Sequence, residues 1–459
     1  MIPTRRLSKR VYGLLALILG FSAGLLILIG SLVLHGAAWA GNRANAHAFS
    51  GGALSAAGGV YDRNGLALAA SLDGERILPE SKAMRMATLH AVGDPEGFIS
   101  SGAQSVFRNT LIGWSRWNGM YSLVRYGRGS DVLLSLDANL CEAAYKALDG
   151  KKGTVGVMNY KTGELLCMVS SPSFDPLKKP TDIEDNEKYD AVYLNRLFHG
   201  LFTPGSTFKI ITMACAIENI PDLDSRIFTC TGKYATGEGY VICNNTHGKV
   251  NFQQAVNKSC NSTFAQLAIE LGEDKLRATA EAMGFNQNYV IDGIPISTSR
   301  FATGQLNALE LGWAGVGQHT TLANPAHMLM LMSAIANGGE GYLPRFALAT
   351  RSPAGYVSAF GGGKPKVGIK LNAATANQLQ ILLRSNVTDQ YSPGGAHERL
   401  RLCGKTGTAE VDGKTPHSWF VGFSLAEETP YAIVVLGENA GGGRAVAYEI
   451  ALKVLETMG

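Results

Sequence analysis

Thr203-Pro204-Gly205-Ser206-Thr207-Phe208-Lys209 stands ahead of an apolar run, Ile210-Ile211-Thr212-Met213-Ala214-Cys215-Ala216-Ile217. Pro204-Gly205 punctuates the chain, and the apolar spacing after it predicts a helix over Ser206 to Glu218. Ser206-Thr207-Phe208-Lys209 is the only S-x-x-K in the chain. On a helix those two positions lie one turn apart on one face, so the lysine amine can approach the serine hydroxyl. A serine hydroxyl is a weak nucleophile until a neighbouring base takes its proton. Lysine is such a base only when burial or nearby cations keep it neutral, which the apolar run behind Lys209 favours. Backbone N–H groups at the helix start suit negative charge on a reacting carbonyl oxygen. Alone, an S-x-x-K is a weak signal and reads more readily as a capping serine followed by a surface lysine.

Two further stretches bear on the choice. Ser259-Cys260-Asn261 is the only S-x-N; a second hydroxyl can relay protons, and an amide can hold a peptide backbone as donor and acceptor together. Lysine-threonine-glycine occurs twice. Lys161-Thr162-Gly163 falls between two apolar segments at hairpin distance and reads as a turn. Lys405-Thr406-Gly407-Thr408 opens a strand-like segment instead. Glycine within a strand weakens pairing unless another chain must come close, as a peptide laid along a sheet edge would, with hydroxyls and an ammonium reading a carboxylate.

Working outward, helices are expected over Asp137 to Leu148, Ala255 to Leu271 and Pro325 to Asn337, the last closed by Gly338-Gly339. Strands are expected at Thr154 to Tyr160, Glu164 to Ser170, Ser418 to Ser424 and Tyr431 to Leu436, before a final helix striped by Val446, Ile450 and Val454. Hairpins at both ends with helices between them imply an α/β chain of the α+β kind, one antiparallel sheet flanked by helices. Residues 41–135, rich in Gly, Ala and Ser with a turn at Asp62-Arg63-Asn64-Gly65, read as a small non-catalytic module ahead of a main domain over 136–459.

The N-terminus sets the location. Val11 to Leu34 runs 24 residues without a charge, enough to span a hydrocarbon core. Arg5, Arg6, Lys9 and Arg10 precede it, no acidic residue occurs before residue 41, and those four account for the whole net charge of +4. The basic cluster predicts a cytoplasmic tail over 1–10, an anchor over 11–34 and the bulk of the chain outside. Ala38-Trp39-Ala40 also resembles a signal-cleavage site, but the apolar stretch is longer than a signal core. Gly20-Phe21-Ser22-Ala23-Gly24 matches a hydrolase pattern by accident, since inside lipid its serine meets no polar substrate. The formally neutral remainder gives no support to nucleic-acid binding.

Seven cysteines leave at least one unpaired. Cys230 and Cys243 are the best-placed pair, as a disulfide or as two free thiols. With His247 they fall one ligand short of a metal site in nearby sequence, so neither a metal nor a cofactor is expected.

The ordered set of S-x-x-K, S-x-N and K-T-G resembles the class B penicillin-binding proteins, monofunctional peptidoglycan transpeptidases. Supporting stretches are Thr203 to Lys209, His247-Gly248, Gly315-Val316-Gly317-Gln318, Lys405 to Glu410, and Trp419-Phe420-Val421-Gly422-Phe423. The likeness covers about residues 130–459, with the first module resembling only the short pedestals of small members. Two positions depart from the pattern: Cys260 in the middle motif, and His319 where glycine is usual.

The resemblance implies a D,D-transpeptidase acting through a serine acyl-enzyme. Ser206 would be the nucleophile and Lys209 its base. Ser259 would shuttle the proton, Asn261 would hold the acyl chain's amide, and Lys405 would polarise Ser259. Thr406, Gly407 and Thr408 would bind the substrate's terminal carboxylate, with the Ser206 and Thr408 N–H groups as oxyanion hole. The implied partners are stem peptides ending in D-alanyl-D-alanine, an amine acceptor, β-lactams, the membrane, and a polytopic SEDS-type glycan polymerase. Transfer of the acyl group to water, as in a D,D-carboxypeptidase or β-lactamase, and a non-catalytic sensor or scaffold are the competing readings.

Overall fold

The computed structural model describes residues 4–458 apart from 43, 46–53, 95, 116–118, 120–127, 302–303, 362–365 and 391–394, so part of the 41–135 segment lies outside the described residues. Thr4–Ala40 is one helix of 37 residues. Its stretch Lys9–Ala40 is long and apolar enough to cross a membrane, and Leu19, Leu26 and Leu34 along it are exposed. The helix runs through Ala38-Trp39-Ala40 without a break.

The main sheet has five strands in the order Cys403–Val411, Lys414–Phe423, Tyr431–Gly437, Gly153–Asn159, Leu165–Ser171. Every neighbouring pair is antiparallel. Its two terminal hairpins meet in the centre, where Val434 lies opposite Gly156. Lys161-Thr162-Gly163 closes the first hairpin; Asn159 Oδ1 accepts from the Lys161 and Thr162 N–H groups at 2.9 and 3.1 Å. That copy of the triplet therefore has a structural task.

One face carries Ala138–Leu148 and Glu449–Glu456. The other carries Pro325–Ala336, whose every residue is buried. Asp137 caps the first of these through bonds from Asn139 and Leu140 N–H, and Asn324 caps the third through His327 N–H, as short polar side chains do where helix N–H groups lack partners. Pro325–Ala336 in turn packs against Ala373–Gln390.

A second sheet of six strands runs Val357–Ala359, Ala347–Arg351, Asp131–Leu134, Val60–Tyr61, Ala67–Leu72, Glu75–Ile77. It is built from both sides of residue 135. Asp131, fully buried, clamps it: its carboxylate accepts from Gly59 N–H at 2.7 Å, Arg128 at 3.2 Å and Arg351 Nε at 2.9 Å. Asp62 joins this sheet to the main domain, accepting from Asn64 and Leu66 within its own turn and from Ala138 N–H at 3.2 Å.

Candidate active site

The helix expected from Ser206 begins as a tight 3-10 turn over Gly205–Thr207 and continues as α-helix over Lys209–Asn219. Such turns are common where a helix starts. The helix expected over Ala255 to Leu271 is two, Phe252–Asn257 and Asn261–Leu271. At the break Ser259 has φ +50°, a left-handed conformation uncommon for a residue with a side chain and found where surroundings enforce it. The kink turns Ser259 towards Lys209.

The expected site residues converge. Lys209 is fully buried. Its Nζ lies 3.1 Å from Ser206 Oγ and 3.1 Å from Ser259 Oγ, and donates to Ser259 O and Asn261 Oδ1, both at 2.7 Å. Lys405, equally buried, approaches Ser259 Oγ from the other side at 2.9 Å. Five functional groups from three motifs thus form one connected network. Burial, reinforced by the charge of Lys405, pushes the Lys209 ammonium well below its ordinary range, and burial alone lowers Lys405 to about 7. A neutral lysine amine is a competent base, so burial here has a chemical consequence.

Lys405-Thr406-Gly407-Thr408 lies on an edge strand of the main sheet, in register with Val421-Phe420-Trp419-Ser418. Lys405 and Gly407 are buried, Thr406 is half-buried and Thr408 exposed. A Cβ on Gly407 would come within 2.8 Å of Pro204 O and 3.0 Å of Thr207 Cγ2; glycine lets this strand close on the turn that carries Ser206. Trp419, buried, donates from Nε1 to Thr203 O at 3.0 Å and fixes the approach to that turn. Gly317 O accepts from Gly205 N–H at 2.9 Å, and Gly315 O accepts from Thr212 Oγ1 at 2.7 Å, which gives the Gly315 to Gln318 stretch its place beside the serine.

Residues 153–456 match the penicillin binding protein transpeptidase domain, well over half of the chain. The chain belongs to the penicillin-binding protein transpeptidase family.

Among relatives of this penicillin-binding protein, peptidoglycan D,D-transpeptidase PbpA of Mycolicibacterium smegmatis is 28% identical over 341 residues, 68% of each chain. The solved D,D-transpeptidase domain of a peptidoglycan glycosyltransferase from Eggerthella lenta superposes with TM-score 0.75 at 28% identity, covering 88% of this chain and 99% of that one. Penicillin-binding protein A from M. tuberculosis, solved as an acyl-enzyme complex, shares the fold with TM-score 0.77 at 24% identity, covering 88% and 98%. The departure at His319 has a conformational reading: it sits at φ +63°, where glycine is the easier choice and histidine is tolerated.

The cysteines resolve differently from a paired bridge. All seven are free thiols, Cys230 and Cys243 included. A fourth potential ligand beside Cys230, Cys243 and His247 does exist, supplied by Cys260. Its place inside the S-x-N triplet, 17 residues from Cys243, hid it from a search of nearby sequence. The only available signal was a cysteine at the variable position of a catalytic motif.

Proposed function

We propose that this penicillin-binding protein is a membrane-anchored D,D-transpeptidase in which Ser206 is acylated by the stem peptide's penultimate D-alanine. The observation that carries the assignment is Lys209 Nζ at 3.1 Å from Ser206 Oγ in a fully buried setting. Lys209 takes the Oγ proton as Oγ bonds to the carbonyl carbon. The tetrahedral oxyanion is held by the N–H groups of Ser206 and Thr408, which develop their strongest bonds when the charge appears. Ser259, between the two lysines, passes a proton to the departing amine, and the C–N bond to terminal D-alanine breaks. Asn261 holds the acyl chain's amide, Lys405 polarises Ser259, and Thr406, Gly407 and Thr408 receive the terminal carboxylate. A stem-peptide amine then attacks the ester by the reverse sequence.

The basic residues before the apolar helix support an N-terminus in the cytoplasm and a catalytic part outside, where a polytopic SEDS-type glycan polymerase would be its partner. β-Lactams acylate Ser206 because they present a reactive carbonyl and a carboxylate to the same groups. Incubation of the full chain with such a polymerase and lipid-linked substrate tests the reading. Dimeric muropeptides from wild type and none from Ser206→Ala are expected; release of D-alanine without dimers would identify a hydrolase instead.

A further inference from the structure

Cys230, Cys243, His247 and Cys260 bring one ligand atom each to within 4.8 Å of all the others. The three cysteines are buried and His247 is half-buried. Cys243 Sγ is 3.9 Å from Cys260 Sγ and 3.5 Å from His247 Nδ1, and Cys230 Sγ is 3.6 Å from that same nitrogen. A tetrahedral zinc ion with bonds of about 2.3 Å to sulfur and about 2.0 Å to nitrogen separates its ligands by about 3.8 Å for two sulfurs and about 3.5 Å for sulfur and nitrogen. The Cys243–Cys260, Cys243–His247 and Cys230–His247 separations match that tetrahedron, and the remaining pairs, all within 4.8 Å, lie close enough for an ion to gather. They do not match a disulfide, whose sulfurs are about 2.05 Å apart. Hydroxyls lie against the sulfurs as in metal–thiolate sites: Ser262 Oγ is 3.4 Å from Cys230 Sγ, and Thr263 Oγ1 donates to Cys260 Sγ at 3.3 Å.

We propose that these four side chains bind one structural Zn2+ that braces the S-x-N segment of the catalytic site. Three thiolates and an imidazole fill the four positions, leaving none for a substrate or reactive water, so the ion's task is positional. Binding releases the thiol protons to solvent. The ligands come from three elements: the end of strand Ile227–Cys230, the segment after strand Tyr240–Ile242, and the turn that starts helix Asn261–Leu271. Cys260 is flanked by Ser259 and Asn261. Asn261 Nδ2 also donates to the carbonyl of Ile242 at 2.9 Å, beside Cys243, while its Oδ1 accepts from Lys209. The ion would therefore hold Ser259 in its left-handed turn and Asn261 against Lys209, at the cost of a cysteine in the variable position.

The test is metal analysis of the full chain, purified in detergent under reducing conditions without a metal-affinity step. About one zinc per chain is expected, with an X-ray absorption spectrum of three sulfurs at about 2.3 Å and one nitrogen at about 2.0 Å. His247→Ala and Cys230→Ser should lose the zinc and acylate penicillin about 10- to 100-fold more slowly, the range for groups that orient a reactive residue from outside it. Cys215→Ser, outside the cluster, should keep the metal. Wild type that takes up no zinc when supplied with Zn2+, or zinc retained in full by both His247→Ala and Cys230→Ser, overturns the proposal. Zinc content is read independently of cross-linking, so it stands or falls apart from the transpeptidase assignment.

Discussion

Replacing Lys209 with methionine separates its chemical task from its structural one. The two side chains are similar in volume, and Lys209 is fully buried, so the change opens no large cavity. It removes a base in contact with Ser206 Oγ and a donor to Ser259 O and Asn261 Oδ1. General-base assistance is worth about 10²- to 10⁴-fold, or about 3 to 5 kcal/mol of barrier. The two acceptors left without their donor cost about 1–3 kcal/mol each, offset in part because an ionisable group no longer has to be buried. The expected result is therefore a fall of at least about 100-fold in the second-order rate of acylation by a fluorescent penicillin, with a melting temperature only a few degrees lower. A Lys209→Met protein acylated within about fivefold of wild type would refute the assignment of Lys209 as base.

Three further outcomes follow. Folded Lys405 has its pKa lowered to about 7 from an ordinary 10.5, so between those values the unfolded chain binds the extra proton; stability should rise with pH across that window, and Lys405→Met should flatten the slope in denaturation curves taken at successive pH values. Gly407→Ala places a methyl 2.8 Å from Pro204 O, which should force strand and nucleophile apart and slow penicillin acylation about tenfold or more, a loss of about 1.4 kcal/mol or greater; an unchanged rate would show that the close approach is not needed. Asp131→Ala strands the buried N–H of Gly59 and frees Arg128 and Arg351, whose side chains reach solvent, and should cost about 1–3 kcal/mol in thermal or chemical denaturation, while acylation below the transition stays near wild type.

Much of this site was legible because its chemistry is local in sequence. A serine and lysine three apart need only a helix start to meet, and the glycine inside Lys405 to Thr408 announced a close approach to that strand, which in the structure is made by the turn carrying Ser206. The two copies of the K-T-G triplet were separable on the same grounds, flanking apolar segments in one case and a strand opening in the other. What stayed hidden depends on distance along the chain. The break at Ser259 interrupts an otherwise continuous helical pattern, and its φ of +50° is enforced by packing and bonds from Lys209 and Lys405 that no local propensity encodes. Strand Ala347–Arg351 pairs with Asp131–Leu134 more than 200 residues earlier, a pairing that short-range pattern cannot reveal. Cys260 meets Cys243 and His247 only because that same break turns it inward.

Acylation by penicillin should fall on Ser206 and nowhere else. Digestion of penicillin-treated wild type with trypsin should yield the peptide 197–209 increased by the mass of the antibiotic, with fragmentation placing the adduct on Ser206. An adduct on any other residue, including Thr203 or Thr207 of the same peptide, or undiminished labelling of Ser206→Ala, would contradict it.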